Sequence, residues 1–354
     1  MLKKSEVMTL IQEAGLDAQF RENCGSQWSD GVNQISEVPY CYLDHLISYQ
    51  SIIFKSVSEN LIDISLVLYN DKRICGVWPL FLDLGKKEPI KSVHDQYGGI
   101  VVPPLFIENL PKKSERKIIK SCIRFLNSLL IQSRGEAWRA SEFSAKVAVS
   151  QWSQLCLENS AVLDKVSYEL YVDLSLSIDK IRSFIRKSYR PLVSSGLKKW
   201  TVSVMDQHCE ITWNNFRSLH GRVSGRVTRP IESWDIQHNA IKAGDAFLVY
   251  VSDPEGKMVG GGYFDMSGNE GHYSVATYDK NLTDQPLGHM VQYQAILTLK
   301  EKGRSLYYIG SRFYHEDLPG VSKKQVDISS FKAGFSTFMV PRVVLLLPSL
   351  DENK

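Results

Sequence analysis

The stretch His220-Gly-Arg-Val-Ser-Gly-Arg-Val-Thr-Arg-Pro230 concentrates ligand-binding chemistry as no other part of this 354-residue chain does. Gly221 and Gly225 let the backbone come close to a ligand, while Arg222, Ser224, Arg226 and Arg229 are side chains that hold phosphate or carboxylate oxygens. His220 adds a group that can carry a proton near neutral pH. Trp234-Asp-Ile-Gln237 follows, and an aromatic ring (Trp234) beside a carboxylate (Asp235) and an amide (Gln237) suits recognition of a sugar or a base. A second arginine set lies upstream. Arg182, Arg186 and Arg190 fall at i, i+4 and i+8, a stripe on one face of a helix whose Ile178, Ile181, Phe184 and Ile185 turn toward a core. Pro191 marks the expected boundary of that helix. From Lys180 to Arg229 the chain carries a net +9, against +3 for the whole, so the remaining 304 residues sum to −6. Positive charge is gathered into one segment, as a cradle for an anionic ligand requires; a solvated basic face is the competing reading.

Three more residues stand out by position. His289 follows Pro286 at the start of an expected helix over Leu287–Glu301, where backbone N–H groups favour anions, with Asp284 as its expected cap. Tyr278 ends an expected strand, on one face with His272, Ser274 and Ala276. Lys332 lies between Phe331 and Gly334 in an expected short helix and is placed to pair with a phosphate. Asp95-Gln-Tyr-Gly-Gly99 is a lesser candidate on the acceptor side, its two glycines again allowing close approach. No metal site is expected. The six cysteines form no C-x-x-C pair and read as free thiols, and His208 and Cys209, as neighbours on a strand, would point apart.

These residues need a scaffold. A composition of 43% hydrophobic and 23% charged residues, with 23 Gly and 13 Pro, excludes a disordered, collagen-like or coiled-coil chain. No apolar run approaches the ~20 residues that cross a bilayer, and the first residues lack an apolar signal core, so a cytoplasmic protein is expected. The length favours two domains. Ile64–Phe81 and Ala246–Phe264 share an outline of apolar strand, polar turn and glycine-bearing strand, with Asp253-Pro-Glu-Gly256 a clear hairpin turn. In the first half a strand near His94–Val102 and a helix near Ser114–Ile131 follow. In the second half a strand near Gly271–Tyr278, the helix over Leu287–Glu301 and a strand at Leu306–Gly310 follow. The expected architecture is α/β (α+β with a mixed sheet), two tandem copies of one module, with domains 1–165 and 166–354.

That order of elements resembles the GNAT acyltransferase fold, and two copies in one chain resemble the Fem-type (FemAB-like) family. Ile185-Arg-Lys-Ser-Tyr-Arg-Pro-Leu-Val-Ser-Ser-Gly-Leu-Lys-Lys199 is similar to that family's basic helix, and Phe331-Lys-Ala-Gly-Phe335 to its late "F-K-x-G-F" element. Ala276-Thr-Tyr-Asp-Lys-Asn-Leu282, continuing to Pro286-Leu-Gly-His-Met290, resembles its passage from fourth strand to helix. The resemblance covers Tyr168–Arg342 by motif and the first half by architecture. It implies an enzyme, an N-acyltransferase, whose acceptor is an amine of an amino sugar or of a cell-envelope polysaccharide or peptidoglycan precursor, such as a nucleotide-linked amino sugar. Asp284-Gln-Pro-Leu-Gly-His289 holds one glycine where acetyl-CoA-binding members have Arg/Gln-x-x-Gly-x-Gly/Ala. Acyl-CoA, an acyl carrier protein and aminoacyl-tRNA therefore all stay open as donors, each a co-substrate, with no permanently bound cofactor.

Direct transfer needs no covalent enzyme intermediate: the protein orients donor and acceptor, accepts the ammonium proton and steadies the oxyanion. In that scheme His289 is a base or phosphate contact, Tyr278 donates to the leaving thiolate, and the arginines grip an anionic part of either substrate, the acceptor lying in the cleft between modules. The alternative is a non-catalytic nucleic-acid-binding protein using the same basic segment. Against it, aromatics do not alternate with the basic residues and no helix-turn-helix, zinc-finger or RNP-like element occurs.

Overall fold

The computed structural model describes residues 2–95, 98–145, 149–317 and 320–349, without the side chains of His94 and Asp95. The chain falls into two compact units, one running to Ser167 and rejoined by the segment from Pro341 onward, the other Tyr168–Val340. The expected division gave everything after residue 165 to the second module. The difference arises because the closing strand, Phe338–Pro348, pairs antiparallel with a strand of the first unit, Ala137 opposite Pro348 and Ser141 opposite Val344.

The first unit contains α1 (Lys4–Glu13), β1 (Ala18–Phe20), α2 (Gln27–Val32), α3 (Asp44–Lys55), β2 (Leu61–Asp63), β3 (Leu66–Asn70), β4 (Arg73–Trp78), β5 (Phe81–Asp83), β6 (Ile90–Lys91), β7 (Val93–Asp95), β8 (Gly98–Ile100), β9 (Leu105–Phe106), α4 (Lys112–Gln132), β10 (Ala137–Ser141), α5 (Gln151–Glu158) and the start of β11 (Val162–Asp173). Its central sheet has the order β1-β3-β4-β9. Alternation along β3 sends Leu66 and Leu68 into a core under α1, α4 and α5, and Val67 into a second core under α2 and α3. Asp71 and Lys72, at φ +51° and +63°, make the tight β3–β4 turn. The strand expected near His94–Val102 is instead the two-stranded hairpin β7–β8. Of the Asp95–Gly99 candidate, Gln96 and Tyr97 and the Asp95 side chain lie outside the described residues.

The second unit takes up β11 at Tyr168 and continues with α6 (Ile178–Phe184), α7 (Tyr189–Lys199), β12 (Thr201–Met205), α8 (Glu210–Ser224), α9 (Ile231–Ala243), β13 (Ala246–Ser252), β14 (Met258–Met266), β15 (Glu270–Tyr278), α10 (Leu287–Glu301), β16 (Leu306–Arg312) and α11 (Lys323–Ala333). Its strands lie in the order β11-β16-β15-β14-β13-β12, all antiparallel except the pair β15–β16. Phe247, Val249 and Val251 enter one core with α6, α7 and α10, while Ala246 and Leu248 enter the other with Trp213, Phe216 and Trp234 of α8 and α9. Two expectations about the basic helix give way. The helix over the arginine stripe breaks at residues 185–188, so Arg182, Arg186 and Arg190 sit on α6, on the link and on α7. Pro191 falls in the first turn of α7, where its missing N–H costs nothing, rather than ending a helix. Phe184 turns outward at 45% exposure instead of joining the core.

Among the described residues no helix is long and apolar enough to cross a membrane. All six cysteines are free thiols, five buried and Cys209 half-buried.

Candidate active site

The parallel pair β15–β16 is joined only at its start. Glu270, Gly271 and His272 face Leu306, Tyr307 and Tyr308; both strands then run on, to Tyr278 and Arg312, without pairing with each other. Backbone groups beyond His272 and Tyr308 on the facing edges are released from the ladder, and a splayed pair of this kind offers them to an extended ligand. A bulge lies at the same place. Tyr263 faces Val275 and Phe264 faces Tyr273, leaving Ser274 as the extra residue of β15. That insertion reverses the parity of every later residue in the strand, so Tyr278 shares a face with Tyr273 rather than with His272 and Ser274 as strict alternation implied. The Tyr273 and Tyr278 hydroxyls meet at 3.2 Å on the α10 side, and burial pushes the Tyr278 phenol well above its ordinary pKa.

Around the splay the structure also gathers a buried polar cluster of which sequence reasoning named only His272 and Ser274, and those only for strand alignment. Asp265 is fully buried in β14, and the Ser274 hydroxyl donates to it while meeting His272 Nδ1 at 2.8 Å. Tyr263 donates to the other Asp265 oxygen at 3.0 Å. Burial lowers the His272 pKa, against the opposing pull of Asp265, and favours a neutral imidazole. The ring stacks on Tyr308 at 5.4 Å, and Tyr308 and Ser311 donate to buried Glu169 at 2.5 and 3.0 Å. One signal was available: Asp265 is the lone charge in a strand whose nine residues are all buried.

Lys332 arrives from α11. Its Nζ lies 5.2 Å from the Tyr273 ring centre and beside Gly310, on the stretch of β16 that pairs with β11 but no longer with β15. Gly310 is at φ +129°, and a Cβ there would sit 2.7 Å from Lys332 Nζ. Burial brings the Lys332 pKa down to about 8, partly offset by the Glu169 carboxylate. Gly310→Ala combines backbone strain of ~1–3 kcal/mol with displacement of this ammonium. The expected result is a melting temperature lower by several degrees together with lost activity; an unchanged melting curve would show that the backbone relaxes freely at that point.

His289 is in the first turn of α10, as expected, although the N-cap is Pro286, and Asp284 bonds Gln285 instead of capping. The imidazole is caged by Tyr189, Phe331 and Phe335 at 4.4, 5.0 and 6.0 Å, and its Nε2 is buried without a hydrogen-bond partner. Burial, helped by Arg186, takes its pKa from 6.5 to about 4. A base that weak is a poor proton acceptor at neutral pH, so the cage makes His289 a neutral hydrogen-bonding group. The unfolded chain binds this proton near pH 6.5 and the folded one only near 4, so the stability held above 6.5 is lost as pH falls through that interval. His289→Phe is expected to flatten the fall in melting temperature between about pH 6.5 and 4; an identical acid limb in wild type and variant would count against the cage.

The arginine-rich stretch splits in two. His220–Ser224 completes α8, and only Gly225–Pro230 is loop. Arg217, His220, Gly221, Arg226, Arg229 and Trp234 line a pocket of about 570 Å³. Arg229 lies over the Trp234 ring at 3.5 Å and donates to the Gln237 side chain at 2.7 Å, while Ser224 contacts His220 Nδ1 at 3.4 Å. Burial and then the Arg229 charge lower the His220 pKa. Arg217 was missed, yet Arg217, His220, Gly221 and Ser224 follow i, i+3, i+4, i+7, the spacing of one helical face. Arg222 and Asp235 are exposed and outside the pocket lining. Arg186 and Arg190 are also elsewhere. Arg190 donates to the carbonyls of Ser183 and Ile185, and Arg186 to the Ser330 carbonyl and the Tyr189 hydroxyl, as the early end of α6 demands.

No protein-family model matches the chain, and no curated protein matches it. Solved structures do. The crystal structure of FemX superposes with a TM-score of 0.66 at 12% identity, covering 93% of this chain and 97% of that one. L-PGS from Bacillus licheniformis gives 0.52 at 12% identity over 80% and 83%. The C-terminal domain (DUF2156) of a putative lysylphosphatidylglycerol synthetase from Agrobacterium fabrum gives 0.51 at 10% identity over 81% and 84%. At these identities the likeness is one of fold. The chain shares the fold of FemX, an α/β arrangement with mixed sheets.

Proposed function

We propose that this protein is an N-acyltransferase that moves an acyl or aminoacyl group from an activated carrier to an amine by direct transfer. The observation that carries the reading is the splay of β15 and β16 with the Lys332 ammonium beside Gly310. The opened strand edges hold an extended donor, and the ammonium lies where a carbonyl oxygen bound between them would develop negative charge. In this reading the acceptor nitrogen attacks the donor carbonyl carbon, and the oxyanion forms toward Lys332. Collapse then breaks the bond to the carrier's sulfur or oxygen. His272, neutral and tied to Asp265 through Ser274, takes the proton that the amine releases. His289, in the first turn of α10, and Tyr278, at the end of β15, serve the donor as hydrogen-bonding groups rather than as a base.

The Arg217–Arg226–Arg229 pocket holds an anionic part of a substrate. Three arginine forks with an indole beneath one of them suit a phosphorylated, ring-bearing acceptor such as a nucleotide-linked amino sugar. The donor is an acyl-CoA in the simplest version. Aminoacyl-tRNA is the second version, favoured by the net +9 from Lys180 to Arg229.

The test is a thermal-shift panel at fixed salt with CoA, acetyl-CoA, deacylated tRNA, and UDP-, GDP- and CMP-sugars. A ligand at about 100 times its dissociation constant adds ~2.7 kcal/mol, a shift of several degrees. Stabilisation by CoA species points to a thioester donor, and stabilisation by tRNA alone points to aminoacyl transfer or to plain RNA binding, which formation of an acylated amine from aminoacyl-tRNA would separate. No shift with CoA, acetyl-CoA or tRNA removes both versions.

A further inference from the structure

At the other end of α8 from the arginine pocket, three donor atoms converge without bonding to one another. Glu210 Oε2 lies 3.6 Å from His238 Nδ1 and 3.8 Å from His208 Nε2. Within the whole set no two donor atoms are more than 4.8 Å apart. The two measured gaps are too long for hydrogen bonds. They are close to the edge of a coordination polyhedron whose metal–nitrogen and metal–oxygen bonds are ~2.0–2.2 Å.

The three side chains are held for the purpose to different degrees. His238, on α9, is 7% exposed and lies flat on Trp213 at 5.3 Å and 10°. Its Nε2 is buried with no hydrogen-bond partner, so Nδ1, toward Glu210, is the nitrogen through which this ring can act. Glu210 is fixed by Asn214, which donates to Oε1 at 2.9 Å and leaves Oε2 to the histidines. His208 stacks on His238 at 4.3 Å but is exposed and precedes the helix, so its ring can turn to complete the set. Cys209, between His208 and Glu210, is engaged with Thr212 at 3.2 Å and stands apart. Reading His208 against its neighbour Cys209 missed this arrangement, because its partner comes from the next helix.

We infer that His208, Glu210 and His238 form a site for a divalent transition metal, two imidazoles and one carboxylate that tie the start of α8 to the middle of α9. This donor set suits zinc, cobalt or nickel over magnesium or calcium, and leaves a coordination position for water. The ion is structural: it fixes the spacing of the two helices that carry Arg217, His220 and Trp234.

The experiment is calorimetric titration of the chelator-treated full chain with zinc, repeated with cobalt while the visible absorption of the ion is followed. One equivalent per chain is expected, with a cobalt spectrum of low coordination number and a zinc-dependent rise in melting temperature. His208→Ala and Glu210→Gln, both at exposed positions, are each expected to weaken binding by at least about tenfold and to abolish that rise. His238→Ala should do the same where it folds. The inference is overturned by an absence of saturable binding up to about 100 μM zinc, or by unchanged affinity in both exposed variants. None of these readouts depends on acyl transfer.

Discussion

Replacing Lys332 by methionine is expected to lower kcat by ~10²- to 10³-fold, the ~2.7–4 kcal/mol that one oxyanion partner is worth, with little change in donor affinity. Methionine keeps the apolar stem in its place near Tyr273 and removes only the charge. The pH dependence separates this role from a structural one. With a folded pKa of about 8 against an ordinary 10.5, the ammonium is present below about 8, and activity that needs it falls above that value. Stability moves the other way. Between about pH 8 and 10.5 the unfolded chain holds a proton that the folded chain has released, so wild-type stability rises with pH across that interval. The variant is expected to lose both the alkaline fall in kcat and the alkaline rise in melting temperature. A variant that keeps wild-type kcat would remove Lys332 from the chemistry. A variant that loses activity only in proportion to lost folded protein would make it structural.

How much the sequence disclosed depends on the range of the interactions concerned. The arginine pocket was legible because it is local: α8, a six-residue connection and α9 are consecutive, so residues close in the chain meet in space. The splay of β15 and β16 leaves no mark in the order of residues. Lys332 was singled out with a phosphate as its partner, because nothing in the order of residues says that α11 returns to the half of β16, at Gly310, that β15 no longer meets. The Glu169–Tyr308 hydrogen bond joins residues 139 positions apart, and no periodicity carries that information. Two local readings failed for physical reasons. Strict alternation put Tyr278 with His272, but one bulged residue at Ser274 shifts every later side chain to the other face. An arginine stripe was read across residues 182–190, but a helix that stops at Phe184 leaves carbonyls to be satisfied, and Arg190 turns back onto them. The first unit was the least legible. Its sheet is divided into short pieces, so a segment expected as one strand is a hairpin.

The second large effect is expected from Arg217→Ala with Arg226→Ala, measured as the dissociation constant for UDP-N-acetylglucosamine and, separately, for inorganic pyrophosphate. Each charge-assisted hydrogen bond contributes ~1.5–3 kcal/mol, so each deletion weakens binding about 10- to 100-fold, and the pair by ~10²–10⁴ where the two act independently. Arg226 is exposed and Arg217 half-buried, and neither has an ion-pair partner among the described residues, so folding should change little. Arg229 is a poorer choice for the same test, since it is held over Trp234 and to Gln237 and its removal would leave a buried amide unsatisfied. Arg222→Ala provides the control: it keeps the loss of charge in the same helix but lies outside the pocket lining, so its effect should be confined to the weak, salt-screened part of the attraction. Equal losses from Arg222→Ala and from Arg226→Ala would mean that the segment acts as a diffuse basic surface, and the nucleic-acid reading would then replace a small anionic acceptor. A loss specific to Arg217 and Arg226, shared by pyrophosphate and the nucleotide sugar, would place the phosphates in this pocket. A loss confined to the nucleotide sugar would instead place its ring over Trp234, with the phosphates bound elsewhere.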